Sequence, residues 1–122
     1  MRILTIGDGP IHQALFPDGP RVQALLGGSG ESELAAAQVR IPPGGSMPEH
    51  SHGDSEALVI PVAGELVISD AEQEHVLSVG EIVYVPRGDR VRLENRGDQP
   101  ASMIAVFTPP AFIKTFDDWP TI

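Results

Sequence analysis

An all-β domain of short antiparallel strands, closed into a sandwich or barrel, is the fold class this sequence predicts. Three observations carry it. No 3.6-residue periodicity is sustained anywhere, short apolar or alternating runs recur along the chain, and clusters of glycine, proline and aspartate separate them. Thirteen glycines and twelve prolines in 122 residues, without a short period, imply many turns.

Taken in order, the runs predict strands at 2–6 (RILTI), 21–26 (RVQALL), 33–41 (ELAAAQVRI) and 47–52 (MPEHSH). They continue at 56–62 (EALVIPV), 64–69 (GELVIS), 75–79 (HVLSV), 81–86 (EIVYVP), 90–94 (RVRLE) and 101–107 (ASMIAVF). On propensity alone "ELAAAQ" also reads as helix. The breaks fall at "PDGP", "GGSGES", "IPPGG", "SDAEQE", "PRGD" and "NRGDQP", where turn chemistry places them. The tail "TPPAFIKTFDDWPTI" carries Phe112, Phe116 and Trp119 between prolines. Such a tail is expected to pack across the domain or onto a second subunit, with a ligand-gripping flap as the alternative.

The length fits one domain, residues 1–122, with a core that needs no staple. With no cysteine, disulfides, thiolate zinc sites and cysteine nucleophiles are excluded. No apolar run is long enough to span a membrane and "MRILTIGDGP" lacks signal-peptide features, so the expectation is a cytoplasmic protein without a membrane partner. Eight basic against seventeen acidic residues give a net charge of -9, which argues against nucleic acid as a partner. Arg87, Arg90, Arg92 and Arg96 are read as a solvated outer face rather than an anion clamp.

In "HSHGDSEALVIPVAG", residues 50–64, His50 and His52 are two apart and so share one face of a strand, where both imidazoles can meet one ion. Glu56, beyond the turn "GDS", is the candidate carboxylate. Two histidines and one carboxylate on one side of an ion leave its opposite positions open, as in non-haem iron(II) oxygenases.

The order Gly44, five residues, His50-x-His52, three residues, Glu56, then Gly64 resembles the first motif of the cupin superfamily. "GEIVYVPRGDRVRLEN" resembles the second, with Gly80, Pro86-x-Gly88 and Asn95. The resemblance covers roughly residues 30–108. It implies a double-stranded β-helix, the jelly-roll barrel of small single-domain cupins, with N-terminal strands and the aromatic tail packed on it. It also implies one divalent transition metal, Fe, Mn, Ni, Cu or Zn, held by His50, His52 and Glu56, and a homodimer.

Two departures stand out. The family's fourth ligand, a histidine, falls at Val91, which alternation places inward with Leu93 as a hydrophobic wall. Glu56 lies eight residues before Gly64 where the pattern has seven, so Ala57 holds the expected position. A bulge at Pro61 absorbs the extra residue and turns Glu56, Leu58 and Ile60 inward; without it Ala57 and Val59 face inward. The bulged register is the preferred one. His75 and His12 are assigned to the rim and the surface, and Glu49 and Asp54 to solvent, with orientation of an imidazole as the alternative.

Three functional expectations follow. The first is a metal-dependent oxidoreductase, dioxygenase-like, acting on a small molecule in a pocket lined by Val83, Val91 and Leu93. In it Tyr84 is a polar contact, and an uncoordinated Glu56 is a general base. The second is a small-molecule-binding or sensor protein without chemistry, and the third a structural relic of the family.

Overall fold

The computed structural model describes residues 1–122. Ten strands form two antiparallel sheets. They are β1 (His12–Gln13), β2 (Arg21–Leu26), β3 (Ala35–Ile41), β4 (Ser46–Ser51), β5 (Glu56–Ala63), β6 (Glu65–Ser69), β7 (Glu74–Ser78), β8 (Val83–Val85), β9 (Arg90–Glu94) and β10 (Ala101–Thr108). One sheet runs β1-β2-β3-β10-β5-β8 and the other β4-β9-β6-β7. This is the architecture of a double-stranded β-helix. No helix is long and apolar enough to cross a membrane.

Alternation explains the core. In β10 every second residue, Ala101, Met103, Ala105 and Phe107, is buried, and the partners across the ladder, such as Val39, Ala37, Val59 and Ala57, share that inward face. Packing overrides helix propensity in "ELAAAQ": Ala35 and Ala37 are fully buried between β2 and β10, where the small side chains let the sheet close. Gly64 turns β5 into β6 at φ 73°, and a Cβ there would stand 3.0 Å from Ala101 Cα and the Pro100 carbonyl oxygen.

Two strand expectations are corrected. Residues 2–6 form no strand: Ile3 and Ile6 are exposed, and the chain is first tied down where the Gly7 amide donates to the buried Gln23 side chain (2.8 Å). The run 81–86 contracts to Val83–Val85, because only those residues pair with β5. The tail is a 3-10 helix, Pro110–Asp118, docked by Ile113 and Phe116 onto the core. Beyond the helix the two chain ends are laced together: the Gln13 amide donates to Pro120 (2.8 Å) and the Ile122 amide to Ile11 (3.0 Å). His12 belongs to this lacing and not to an irregular surface segment, with its Nδ1 against the Trp119 carbonyl at 2.8 Å.

Candidate functional site

The histidine pair lies where β4 leaves the sheet. Met47 pairs with Leu93 and His50 with Val91, so three steps on β4 match two on β9, and the bulge takes up Pro48–Glu49. Proline lacks the amide a regular ladder needs, so the bulge falls there. The consequence is that Met47 and His50, an odd number apart, both face inward. His52 follows two residues on and is 6 % exposed.

The two imidazoles meet edge to face, with Nε2 to Nε2 at 3.2 Å and ring centroids 4.8 Å apart. His50 Nδ1 lies 2.7 Å from the Pro48 carbonyl. A carbonyl only accepts, so Nδ1 carries the hydrogen and Nε2 of neutral His50 is a bare lone pair. His52 Nε2 must then donate to it, which leaves His52 Nδ1 buried without a partner. Burial, and then the neighbouring His50, lowers the His52 pKa to about 4. His50 is also lowered, chiefly by burial, with the Pro48 carbonyl opposing. Phe107 stands 5.4 Å from His52, and Phe112, from the C-terminal helix, 4.8 Å from it in a T-shaped contact. The Ser55 hydroxyl anchors the start of the helix through the Pro109 carbonyl at 2.6 Å.

Glu56 does not join the histidines, which corrects the bulged register. Along β5 Ala57, Val59 and Pro61 are buried, because their neighbours Phe107, Ala105 and Met103 on β10 are core residues. The irregularity in that pairing lies between Pro61 and Ala63, too far along to turn the strand upstream. Glu56 instead accepts a hydrogen bond from the Tyr84 hydroxyl at 2.5 Å and lies 3.6 Å from Arg87, on the outer face. Tyr84 is 56 % exposed there, and its bond to Glu56 raises the phenol's pKa. The Tyr84 hydroxyl is therefore engaged on the outer face, although the residue also borders the cavity shared with Val83 and Val91.

Val91 (6 % exposed) and Leu93 (2 %) face inward, while Arg92 on the same strand is exposed. Val83 and Val91 border a cavity of about 240 Å³ whose rim carries His75, whereas Leu93 packs in the core away from it. His75 pairs with Glu81 at 3.0 Å. Glu49 pairs with Arg90, and the imidazoles bond only each other and the Pro48 carbonyl, so neither Glu49 nor Asp54 orients an imidazole. Arg87, Arg90, Arg92 and Arg96 lie on the exposed face in pairs with Glu56, Glu49, Glu94 and Glu74 respectively. On the other side of His50, beneath the C-terminal helix, an apolar groove of about 310 Å³ opens to solvent.

The donors present do not fit a three- or four-ligand metal centre. Nowhere in the fold do three histidine, aspartate or glutamate side chains converge. Ala57 and Val91 hold the two vacated positions, and the Phe107 ring, cross-strand neighbour of Ala57, stands against His52 where a carboxylate would reach. Only the pair itself fits: at metal–nitrogen bonds of about 2.0–2.1 Å, the Nε2 separation corresponds to an angle of about 100° between two adjacent ligands.

Sequence reasoning missed the Pro48 carbonyl, which fixes the His50 tautomer, and the two phenylalanines that enclose the pair. The aromatic tail was the one signal pointing to Phe112. Nothing local marked Phe107, since it alternates with its neighbours as any core residue does.

Comparison with known proteins agrees with the fold. The Cupin_2 family, described as "Cupin domain", matches residues 37–107. The chain is 34% identical over 95 residues to the tetracenomycin polyketide synthase protein TcmJ of Streptomyces glaucescens, covering 76% of this chain and 64% of that protein, so it spans under two thirds of that relative's length. It is 31% identical over 114 residues to protein SchB of Streptomyces halstedii, covering 90% of this chain and 79% of that one. A Cupin 2 conserved barrel domain protein from Salinispora arenicola superposes with a TM-score of 0.74 at 22% identity, covering 96% of each chain. With two ordered glycine-bounded motifs, a two-sheet antiparallel barrel and a family match over most of its strands, the chain belongs to the cupin family.

Proposed function

We propose that this chain binds a small, largely apolar, carbonyl-bearing molecule against His50 and His52 and moves a proton on it. One observation carries the reading: two neutral imidazoles side by side at 3.2 Å among phenylalanines, with no carboxylate to complete a metal centre. The pair presents an acceptor, His50 Nε2, and a donor, His52 Nε2–H, which bond each other until an entering carbonyl compound parts them. The acceptor can take a proton from the carbon next to a carbonyl, and the donor can hydrogen-bond the oxygen as it gains charge. The Pro48 carbonyl keeps His50 in the tautomer this division requires. The TcmJ relative, named a polyketide synthase protein, supports carbonyl-rich substrates of this kind.

The test is exchange of the α-protons of 1-tetralone in D2O, followed by proton NMR. The expected result is exchange faster than buffer with the parent protein and at the buffer rate with His50→Gln. Equal rates for parent, variant and buffer overturn the proposal.

A second reading keeps a divalent transition metal, Fe, Mn, Ni, Cu or Zn, on the two histidines, as a metal-dependent oxidoreductase of the dioxygenase type would need. The Nε2 separation, which suits two adjacent ligands, favours it. Such an ion would supply Lewis acidity or redox chemistry at positions the protein leaves open. Elemental analysis of the protein prepared without a histidine tag decides between the two. Near-stoichiometric metal supports the second, and a metal-free protein that exchanges tetralone protons supports the first.

For assembly we propose a homodimer. β7 and β8 are edge strands, and Val76, Val79, Ile82 and Tyr84 beside them are more than half exposed, an apolar margin that a second copy would cover.

A further inference from the structure

We infer that the groove beneath the C-terminal helix seats a flat, uncharged aromatic ring system whose carbonyl or hydroxyl edge meets His50. The inference rests on the proposed small-molecule role of the histidine pair and adds to it a substrate class and a direction of approach. Phe16, Phe112 and Trp119 remain half-buried around this opening, and the buried Met47 and Phe116 also line it. The groove's volume, about 310 Å³, is at the small end of the range for small-molecule sites and too small for a folded partner.

The walls choose the occupant's chemistry. Trp119 meets Phe16 edge-on, with centroids 6.3 Å apart at 88°, and Phe116 at 5.1 Å and 66°. Rings held this way offer both faces and edges, which reward a flat π-system more than a flexible alkyl chain. Phe112 lies within 19° of parallel to His50, with centroids 6.2 Å apart, so two of the lining rings present near-parallel faces. The Glu49 carboxylate at the rim, 3.3 Å from Arg90, and the chain's net charge of -9 both disfavour an anionic ligand. Two of the groove's rings, His50 and Phe112, also touch the buried His52, and of these His50 is the one with a hydrogen-bonding edge.

Trp119 is the chain's single tryptophan, so it reports on the groove alone. The probe is 1-hydroxyanthraquinone, with anthraquinone-2-sulfonate and dodecanoate as comparisons, and binding is read from Trp119 emission and from the histidine ring signals by NMR. The expected result is saturable quenching by 1-hydroxyanthraquinone together with shifted His50 signals. Thr115→Arg, which changes an exposed helix residue at the groove mouth, should weaken binding at least tenfold, and the sulfonate should bind at least tenfold more weakly.

Several outcomes overturn the inference. Quenching that Thr115→Arg leaves unchanged removes the groove as the site, and dodecanoate competing on equal terms removes the preference for flat rings. If the His50 signals move while Trp119 stays silent, the groove fails and the histidine-pair reading stands. If Trp119 responds while His50 does not, the link to the pair fails. A probe that moves neither signal also overturns the inference, whereas tetralone exchange tests the histidine reading separately.

Discussion

Lowering the pH from 7 to 5 should destabilise this fold through His52 before its carboxylates titrate. Burial holds the folded-state pKa of His52 at about 4, against 6.5 for a free imidazole. The unfolded chain therefore binds the proton first. Stability is at its full value above about pH 6.5 and is lost as the pH falls toward 4. Across the whole window the loss is about 3 kcal/mol, of which about 2 kcal/mol falls between pH 7 and 5. Glu31, Asp70, Glu74, Glu81 and Glu94, all held below the ordinary carboxylate range by hydrogen bonds, lose their contribution only at lower pH. Urea unfolding at pH 7, 6 and 5 reads the window directly, with His52→Asn as the comparison. The parent should lose about 2 kcal/mol more than the variant between the end points. A variant that loses as much as the parent refutes the reasoning, because the destabilisation then has another source.

Three other changes probe the site and its surroundings. Ala57→Glu combined with Val91→His should restore the vacated ligand positions and tighten zinc binding at least tenfold in a competition titration; no gain would show that these positions do not face the histidines. Glu56→Ala should leave the histidine NMR signals in place and cost less than about 1 kcal/mol in urea unfolding, because its contacts with Tyr84 and Arg87 lie on the outer face. Signals that move would return Glu56 to the site. Ile82→Lys should convert a sedimenting dimer to a monomer, and a parent that already sediments as a monomer defeats the assembly proposal.

The strands were legible wherever both period and partner were local. β9 and β10 lie between turn clusters and alternate between buried and more exposed residues along their length. Residues 2–6 are a short apolar, strand-prone run without a partner strand, and composition alone does not supply one. The site was half legible. His50 and His52 were visible from spacing, as was the inward turn of Val91. The direction of Glu56 was not, because it depends on Phe107 and Ala105, some fifty residues away, which fix the phase of β5. A bulge was rightly sought at a proline, but the one that positions the histidines is at Pro48, where the break in alternation between Met47 and His50 had marked it.

That bulge also guards the chain against an error of reading frame. Straightening β4 without removing a residue would rotate everything after Met47 by one position, turning His50 outward and driving Glu49 and Ser51 toward the core. A carboxylate forced among Phe107, Val91 and Leu93 would have no cation to meet, so the wrong frame penalises itself. The paired imidazoles are thus kept in place less by any grip on the rings than by the unsuitability of the residues that would replace them.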